Sequence, residues 1–265
     1  MKITMLKLLG ASVCLLPLAG MDAAVLYDSQ GFETPPFTVG EVGTGSGGQN
    51  GWTRVTSTNP LDVQIVESGG LGNSQALFLR SNPTQSSPVD HPTRGTMMQA
   101  RKTQTLTVDH FVDFWILTPP TADISSNLTL RARGNAGTIL TIGFNSSSGL
   151  SVVPIGTTFN ASGYSYTPNA WNRLTVGINM EGANDTFTIY LNGEATASGT
   201  NAAFGTNFAN ITSWEFEWRS TTTPTGAGVY VDNFMIYDMN PIPEPAGAAL
   251  LGLGAGMLMF FRRRK

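Results

Sequence analysis

The sequence predicts an all-β protein, an antiparallel β-sandwich of the jelly-roll type, and three observations carry that prediction. Thirty Gly, fifteen Pro and abundant Thr, Ser and Asn stand in a chain of 265 residues. These residues form helices poorly but suit strands and tight turns. Several short runs alternate apolar and polar positions, the period of a half-buried strand, and no stretch between residues 25 and 240 sustains a helical period.

Leu174, Val176 and Ile178 share one face of a run whose other face is Thr175 and Gly177. Phe187, Ile189 and Leu191 alternate in the same way against Thr186, Thr188 and Tyr190, and the run meets Asn192-Gly193, the strongest short-range hairpin signal. In "SWEFEWR", Trp214, Phe216 and Trp218 point one way, and Glu215, Glu217 and Arg219 the other. "HFVDFWIL", His110 to Leu117, is apolar on both faces apart from Asp113, as suits a strand covered on both sides, so Trp115 is expected in the core. Further strands are predicted at 75–79, 128–131, 138–144, 150–153 and 229–237. About ten strands in ~215 residues match an antiparallel sandwich. The glycine-rich run from Val39 to Trp52 lacks the Gly-Lys-Ser/Thr ending of a phosphate loop and reads as a flexible surface loop.

Charge excludes one class of partner. Between residues 25 and 240 there are nine Lys and Arg against sixteen Asp and Glu, a net charge of −7. An acidic domain without basic clusters in its sequence is a poor nucleic-acid binder, because phosphate neutralisation needs cations. The single cysteine, Cys14, lies in the first apolar run, so the mature chain is expected to hold neither a disulfide nor a cysteine metal site.

The two ends read as addresses. Lys2 and Lys7 precede an apolar run from Leu8 to Ala19 and then small residues at Ala19-Gly20 and Ala23-Ala24, the layout of a secretory signal peptide over residues 1–24. At the other end, Pro241, Pro243 and Pro245 impose an extended strip over residues 239–245. Residues 246–261 are uncharged, reach ~24 Å as a helix, and read as a single transmembrane helix. The cluster Arg262, Arg263, Arg264 and Lys265 stays cytoplasmic by the positive-inside rule. Pro243-Glu244-Pro245, a short Gly/Ala/Leu-rich helix and a terminal basic cluster, in that order, resemble the PEP-CTERM sorting signal of exported bacterial proteins, over residues 241–265. The resemblance implies export through the Sec machinery, recognition of Pro243, Glu244 and Pro245 by exosortase with Arg262, Arg263 and Arg264 holding the substrate, and delivery to the cell surface or an extracellular polysaccharide matrix. The plain alternative is an unprocessed anchor.

Residues 25–238 form the predicted sandwich domain. Its ends, "YDSQGFETPPF" and "GVYVDNFMIYD", resemble jelly-roll carbohydrate-binding modules and concanavalin-like sandwiches. That resemblance implies a structural calcium ion shared by Glu33 near the start and Asp232 near the end, and a glycan or extracellular polysaccharide as ligand. The alternative for both acids is an ordinary turn position.

Catalysis has one candidate pair. Glu215 and Glu217 lie two apart on one strand face, ~6.6 Å at ~3.3 Å per residue, within the separation that paired glycosidase carboxylates need. Laminarinase-like sandwich hydrolases carry a third acid; here Arg219 takes the next same-face position. The plainer reading is a solvated face opposite a buried aromatic stripe. For a glycan platform, Trp52 beside the glycine loop and Tyr164 and Tyr166 in a later loop are the candidates. Taken together, the expectation is an exported, non-enzymatic surface or matrix protein with a structural or glycan-binding sandwich. A secreted glycoside hydrolase using Glu215 and Glu217 is the alternative.

Overall fold

The computed structural model describes residues 23–45, 48–55, 63–80, 98–118, 127–134, 137–145, 149–154, 159–160, 167–180, 185–200, 211–219 and 228–241. The expected signal peptide through residue 22, Tyr164, Tyr166, the Pro243-Glu244-Pro245 motif, the expected transmembrane segment and the terminal arginines lie outside these residues. Among the described residues no helix is long and apolar enough to cross a membrane.

The chain is all-β, and its described strands pair antiparallel throughout. In order they are β1 (Val25–Asp28), β2 (Gly40–Glu41), β3 (Trp52–Arg54), β4 (Val63–Val66), β5 (Ala76–Arg80), β6 (Met98–Leu106), β7 (His110–Leu117) and β8 (Asn127–Gly134). There follow β9 (Gly137–Asn145), β10 (Gly149–Pro154), β11 (Phe159–Asn160), β12 (Trp171–Asn179), β13 (Thr186–Leu191), β14 (Glu194–Thr200), β15 (Ile211–Arg219) and β16 (Gly228–Tyr237). The larger sheet runs β14-β13-β12-β7-β16-β5-β4-β2, with β1 also paired to β16; the smaller runs β11-β10-β9-β8-β15-β6-β3.

Alternation explains which face of each strand meets the other sheet. Leu174, Val176 and Ile178 of β12 and Phe187, Ile189 and Leu191 of β13 are buried from the larger sheet. Trp214, Phe216 and Trp218 of β15 and Leu128, Leu130 and Ala132 of β8 answer them from the smaller. Between β13 and β14 the chain reverses through Asn192 (φ 52°) and Gly193 (φ 86°), the left-handed pair that a two-residue hairpin needs. In β7, His110, Val112, Phe114 and Ile116 are buried, whereas Trp115 stands half-buried on the opposite face. The expectation that Trp115 belongs to the core is therefore corrected: one-step alternation from Phe114 and Ile116 sends it outward. His110 turns inward and its Nδ1 donates to the Val108 carbonyl at 2.9 Å. Burial pushes its imidazole down to about 4, so the ring stays neutral.

The two sheets meet through a cluster of aromatic rings. Trp52 is stacked on Phe216 at 6.0 Å and meets the edges of Phe32 at 5.4 Å and Phe234 at 5.0 Å. Phe114 of the larger sheet packs edge-on to Phe216 at 4.9 Å. The Trp52 indole donates to the Tyr27 hydroxyl at 3.0 Å, so its one polar atom is satisfied inside. Trp52 is completely buried, which overturns its reading as an exposed glycan platform. The glycine-rich run before it includes β2 and a tight turn at Asn50-Gly51, both with positive φ, that delivers the indole to the core. Trp52→Ala is expected to cost about 3–5 kcal/mol, the usual range for deleting a buried large aromatic. Urea unfolding checks it, and a loss below about 1 kcal/mol would mean the indole is not part of the packed centre.

Candidate functional site

Three strands in the middle of the smaller sheet, β6, β15 and β8, place charged side chains on the face turned away from the core. The register sets Arg101 of β6 and Arg131 of β8 directly opposite Glu215 of β15, one on each side. Arg133 lies opposite Ser213 on the same face. Trp214, Phe216 and Trp218 must point inward, and so Glu215 and Glu217 must point outward.

These glutamates are not a solvated face. Glu215 has no exposed surface and Glu217 only 2%. Arg101 Nε donates to Glu215 Oε1, and Arg131 Nη1 donates to Glu217 Oε2. Arg133 Nη1 lies 3.7 Å from the second oxygen of Glu215 and donates to Thr138 Oγ1 at 3.2 Å. Burying a carboxylate is costly unless a cation and hydrogen bonds accompany it, and the cross-strand arginines supply both. The expectation of two water-exposed acids is corrected on that ground. The arginines keep their outer parts in solvent: Arg101 is 33% exposed, Arg131 22% and Arg133 34%. What faces outward is thus a guanidinium layer seated on two hidden carboxylates. As a catalytic pair, Glu215 and Glu217 are each engaged by an arginine rather than turned to a substrate.

The larger sheet is built differently. On its outer face Arg173 grips Asp113 through Nε and Nη2 at 2.9 Å, and Thr175 Oγ1 donates to the same carboxylate at 2.6 Å. Beside this group Phe111 lies across Gly177, where a Cβ would meet the ring at 2.4 Å. The bare glycine lets the ring floor a cavity of about 210 Å³ with Tyr190 and Thr188 on its wall.

Glu33 and Asp232 come together beside the register irregularity in the middle of β16. The ideal Cβ position at Gly31 lies 3.2 Å from Asn233 Oδ1, 3.4 Å from Asp232 Oδ1 and 3.7 Å from Glu33 Cγ. Gly31 has φ 65°, a conformation and a space that a side chain would contest. Asp232 Oδ2 accepts from the Leu71 amide at 2.7 Å and Ser74 Oγ at 3.0 Å, and Oδ1 accepts from the Asn233 amide at 2.6 Å. Glu33 Oε1 accepts from the Gln75 amide at 2.8 Å. Among the described residues neither acid pairs with a Lys or Arg. Burial raises the Asp232 carboxyl above its usual range, and the nearby Glu33 charge pushes the same way, against the amide and hydroxyl donors.

Two acidic groups, an amide oxygen and no protein cation suit a hard, oxygen-seeking ion such as Ca²⁺. Among the described residues no group of three or more His, Cys, Asp or Glu gathers around a common point. Carbonyl, amide or water oxygens would therefore complete the shell. Tyr27, by contrast with an exposed platform, is tied inward: Lys102 Nζ sits 3.5 Å over its ring. The arginine layer is the part sequence reading missed. Its signal was present as Arg101, Arg131 and Arg133 in alternating positions, but their meeting depends on strand register, which no local pattern states.

No family model matches the chain, and no curated protein sequence matches it. Among solved structures it is similar to the cellulose induced protein Cip1, at 15% identity and a TM-score of 0.52, covering 71% of this chain and 91% of that one. It is similar to beta-agarase A in complex with oligoagarose at 11% identity and a TM-score of 0.52, over 76% and 88% of the two chains. Alginate lyase vAL-1 from Chlorella virus follows at 11% identity and a TM-score of 0.48, over 72% and 94%. At such identities a likeness describes fold alone. The class is an antiparallel β-sandwich.

If Glu33 and Asp232 hold a cation, saturating Ca²⁺ (about a hundred times its Kd) adds about 2.7 kcal/mol and raises Tm by roughly 5–10 °C for a domain of this size. The sign with pH follows from the raised Asp232 carboxyl. In EDTA, the stability contributed by its protonated form is lost as pH rises through that raised value, whereas Ca²⁺ needs the ionised form. The Ca²⁺ increment should therefore grow with pH and vanish in Asp232→Asn. Scanning calorimetry with Ca²⁺ and with EDTA decides it, and identical Tm values in both would remove the ion.

Proposed function

We propose that this chain is an exported protein of the bacterial envelope or extracellular matrix whose β-sandwich binds polysaccharide. The binding half rests on one observation: the outward face of β6, β15 and β8 presents partly exposed arginines fixed in place by buried glutamates. Sugar recognition needs fixed, planar hydrogen-bond donors on a rigid scaffold, and side chains in mid-strand supply that better than loops do. Beta-agarase A, a solved sandwich of similar fold, was crystallised with oligoagarose, which supports reading a sandwich face as a place for a glycan chain. Glu33, Asp232 and a cation would join the first and last parts of the domain and keep that scaffold closed.

The address half rests on the terminal segments. The signal-peptide layout over residues 1–24, Pro243-Glu244-Pro245, the apolar segment 246–261 and Arg262–Lys265 support Sec export, exosortase processing and a transient or lasting membrane anchor.

A second reading is favoured by the pairing of Glu215 and Glu217 on one outward strand face: a secreted glycoside hydrolase. The arginines that hold both acids, and Arg219 in place of a third acid, count against it. Two measurements separate these readings. Intact mass of the product isolated from its native host should show loss of about the first twenty residues and of the segment beyond the proline motif; a product still carrying Met1 through Lys265 ends the sorting proposal. Incubation of the protein with a panel of polysaccharides should show retention without release of reducing ends. Reducing ends that disappear in Glu217→Gln would instead establish the hydrolase.

A further inference from the structure

The cations of this acidic domain are unevenly placed. Of the nine Lys and Arg between residues 25 and 240, six lie in strands of the smaller sheet: Arg54, Arg101, Lys102, Arg131, Arg133 and Arg219. Those strands carry only two acids, Glu215 and Glu217, for a net of +4 against −7 for the whole segment. Arg54 is committed to Glu41 at 2.7 Å, and Lys102 is turned inward to the Asn50 carbonyl at 2.8 Å. The side chain of Arg219 lies outside the described residues, and Arg101, Arg131 and Arg133 stand on the outer face.

Each of these three guanidiniums has an inner and an outer edge. Arg101 spends its Nε on Glu215, Arg131 spends Nη1 on Glu217, and Arg133 spends Nη1 on Thr138. Among the described residues, both terminal nitrogens of Arg101, and Nη2 of Arg131 and of Arg133, have no hydrogen-bond partner. Glu215 also keeps Oε2 buried without a hydrogen bond, 3.7 Å from Arg133. The glutamates thus act as anchors: they fix the plane and direction of the arginines and leave N–H groups pointing outward. A guanidinium fork matches a carboxylate in two parallel hydrogen bonds, which an ammonium or a hydroxyl cannot do. By backbone spacing Arg131 and Arg133 are ~7 Å apart along β8 and Arg101 is ~10 Å from Arg131 across β15, and the Glu215 carboxylate draws the guanidiniums of Arg101 and Arg133 toward each other. Three guanidiniums spread over two strands offer successive acid groups of a polymer more than one contact.

Resting on the polysaccharide reading above, we infer that the outer face of β6, β15 and β8 binds a carboxylate-bearing polysaccharide, with Arg101, Arg131 and Arg133 reading its acid groups and Glu215 and Glu217 positioning them. A polymer of alternating or continuous uronic acid is the class of ligand this chemistry takes. The negative domain around the face repels anions lacking such close fork contacts, and so favours a ligand that makes several at once.

The test uses the full chain and three immobilised polymers: polygalacturonate, the same polymer with its carboxyls reduced to alcohols, and a neutral glucan. Polygalacturonate should be retained at 50 mM NaCl and released by 1 M NaCl, where the screening length falls to ~3 Å. Carboxyl reduction should weaken binding at least about tenfold. Arg133→Gln is the variant of choice, because Glu215 keeps Arg101 and the fold keeps its principal ion pairs; it should weaken polygalacturonate binding about tenfold with Tm unchanged. Arg131→Lys, which retains the charge that Glu217 needs, should lose binding for want of the fork. Equal retention of the carboxyl-reduced polymer or the neutral glucan overturns the acid-reading inference and leaves polysaccharide binding standing. Retention of none of the three, with folded protein, overturns both.

Discussion

The contact on which the rest depends is the packing of Trp52 against Phe216 and Phe234. β3 contributes only three residues, too few to hold an edge strand by backbone pairing alone, and its indole fills the space between the sheets. Tyr27 completes the arrangement by accepting the indole N–H and covering Lys102. Burial pushes the Tyr27 hydroxyl up to about 12 and the Lys102 ammonium down to about 8, so both groups are costly to place there. The ring beneath the ammonium and the Asn50 carbonyl offset part of that cost. In this way the first strand, the glycine-rich turn and the edge of the smaller sheet close on one aromatic centre.

The same centre explains a distortion in β16. Its pairing with β7 shifts register between Asp232 and Met235, and Asn233 takes φ 48°. Val229 and Val231 face inward before the irregularity, Phe234 and Ile236 after it. Without the extra residue, strict alternation would send Phe234 outward and empty its place beside Trp52. The bulge restores the aromatic contact and, in the same two residues, aims Asp232 and Asn233 at Gly31. The candidate cation site is a consequence of the register correction that the core requires.

Much of the sandwich was legible because burial and period coincide. β12, β13 and β15 alternate strictly, and Asn192-Gly193 sits where its backbone demands. β6 was hidden for a physical reason: its inward positions include Lys102, which a pattern of apolar residues does not predict. β2 and β3 were hidden by length and by the glycines that surround them, and Trp52 was misread because neighbours that look flexible suggested exposure. The acids of β15 were found, but their environment was not. Whether Glu215 meets water or Arg101 is decided by which residue of a strand more than a hundred positions away lies opposite, and register is a tertiary quantity. Glu33 and Asp232 came from resemblance rather than spacing, since they stand 199 positions apart in the chain.

The two ends of the domain are held together. β1 pairs with β16, Val25 opposite Tyr237, and beyond them the Asp238 amide donates to the Ala24 carbonyl at 3.1 Å while the Ala24 amide donates to Asp238 Oδ1 at 2.7 Å. Chain entry and chain exit therefore lie side by side on the larger sheet, clamped by one residue. Pulling on either end loads β1 and β16 together, and β16 is held on its other side by β7, while β5 pairs with its first half on the β1 side. The arginine layer belongs to the other sheet, on the face turned away from the shared core. The described chain leaves the domain at Asn240 from the larger sheet, away from the face that carries the exposed guanidiniums. Separation of the chain ends from the arginine layer follows from where the first and last strands pair.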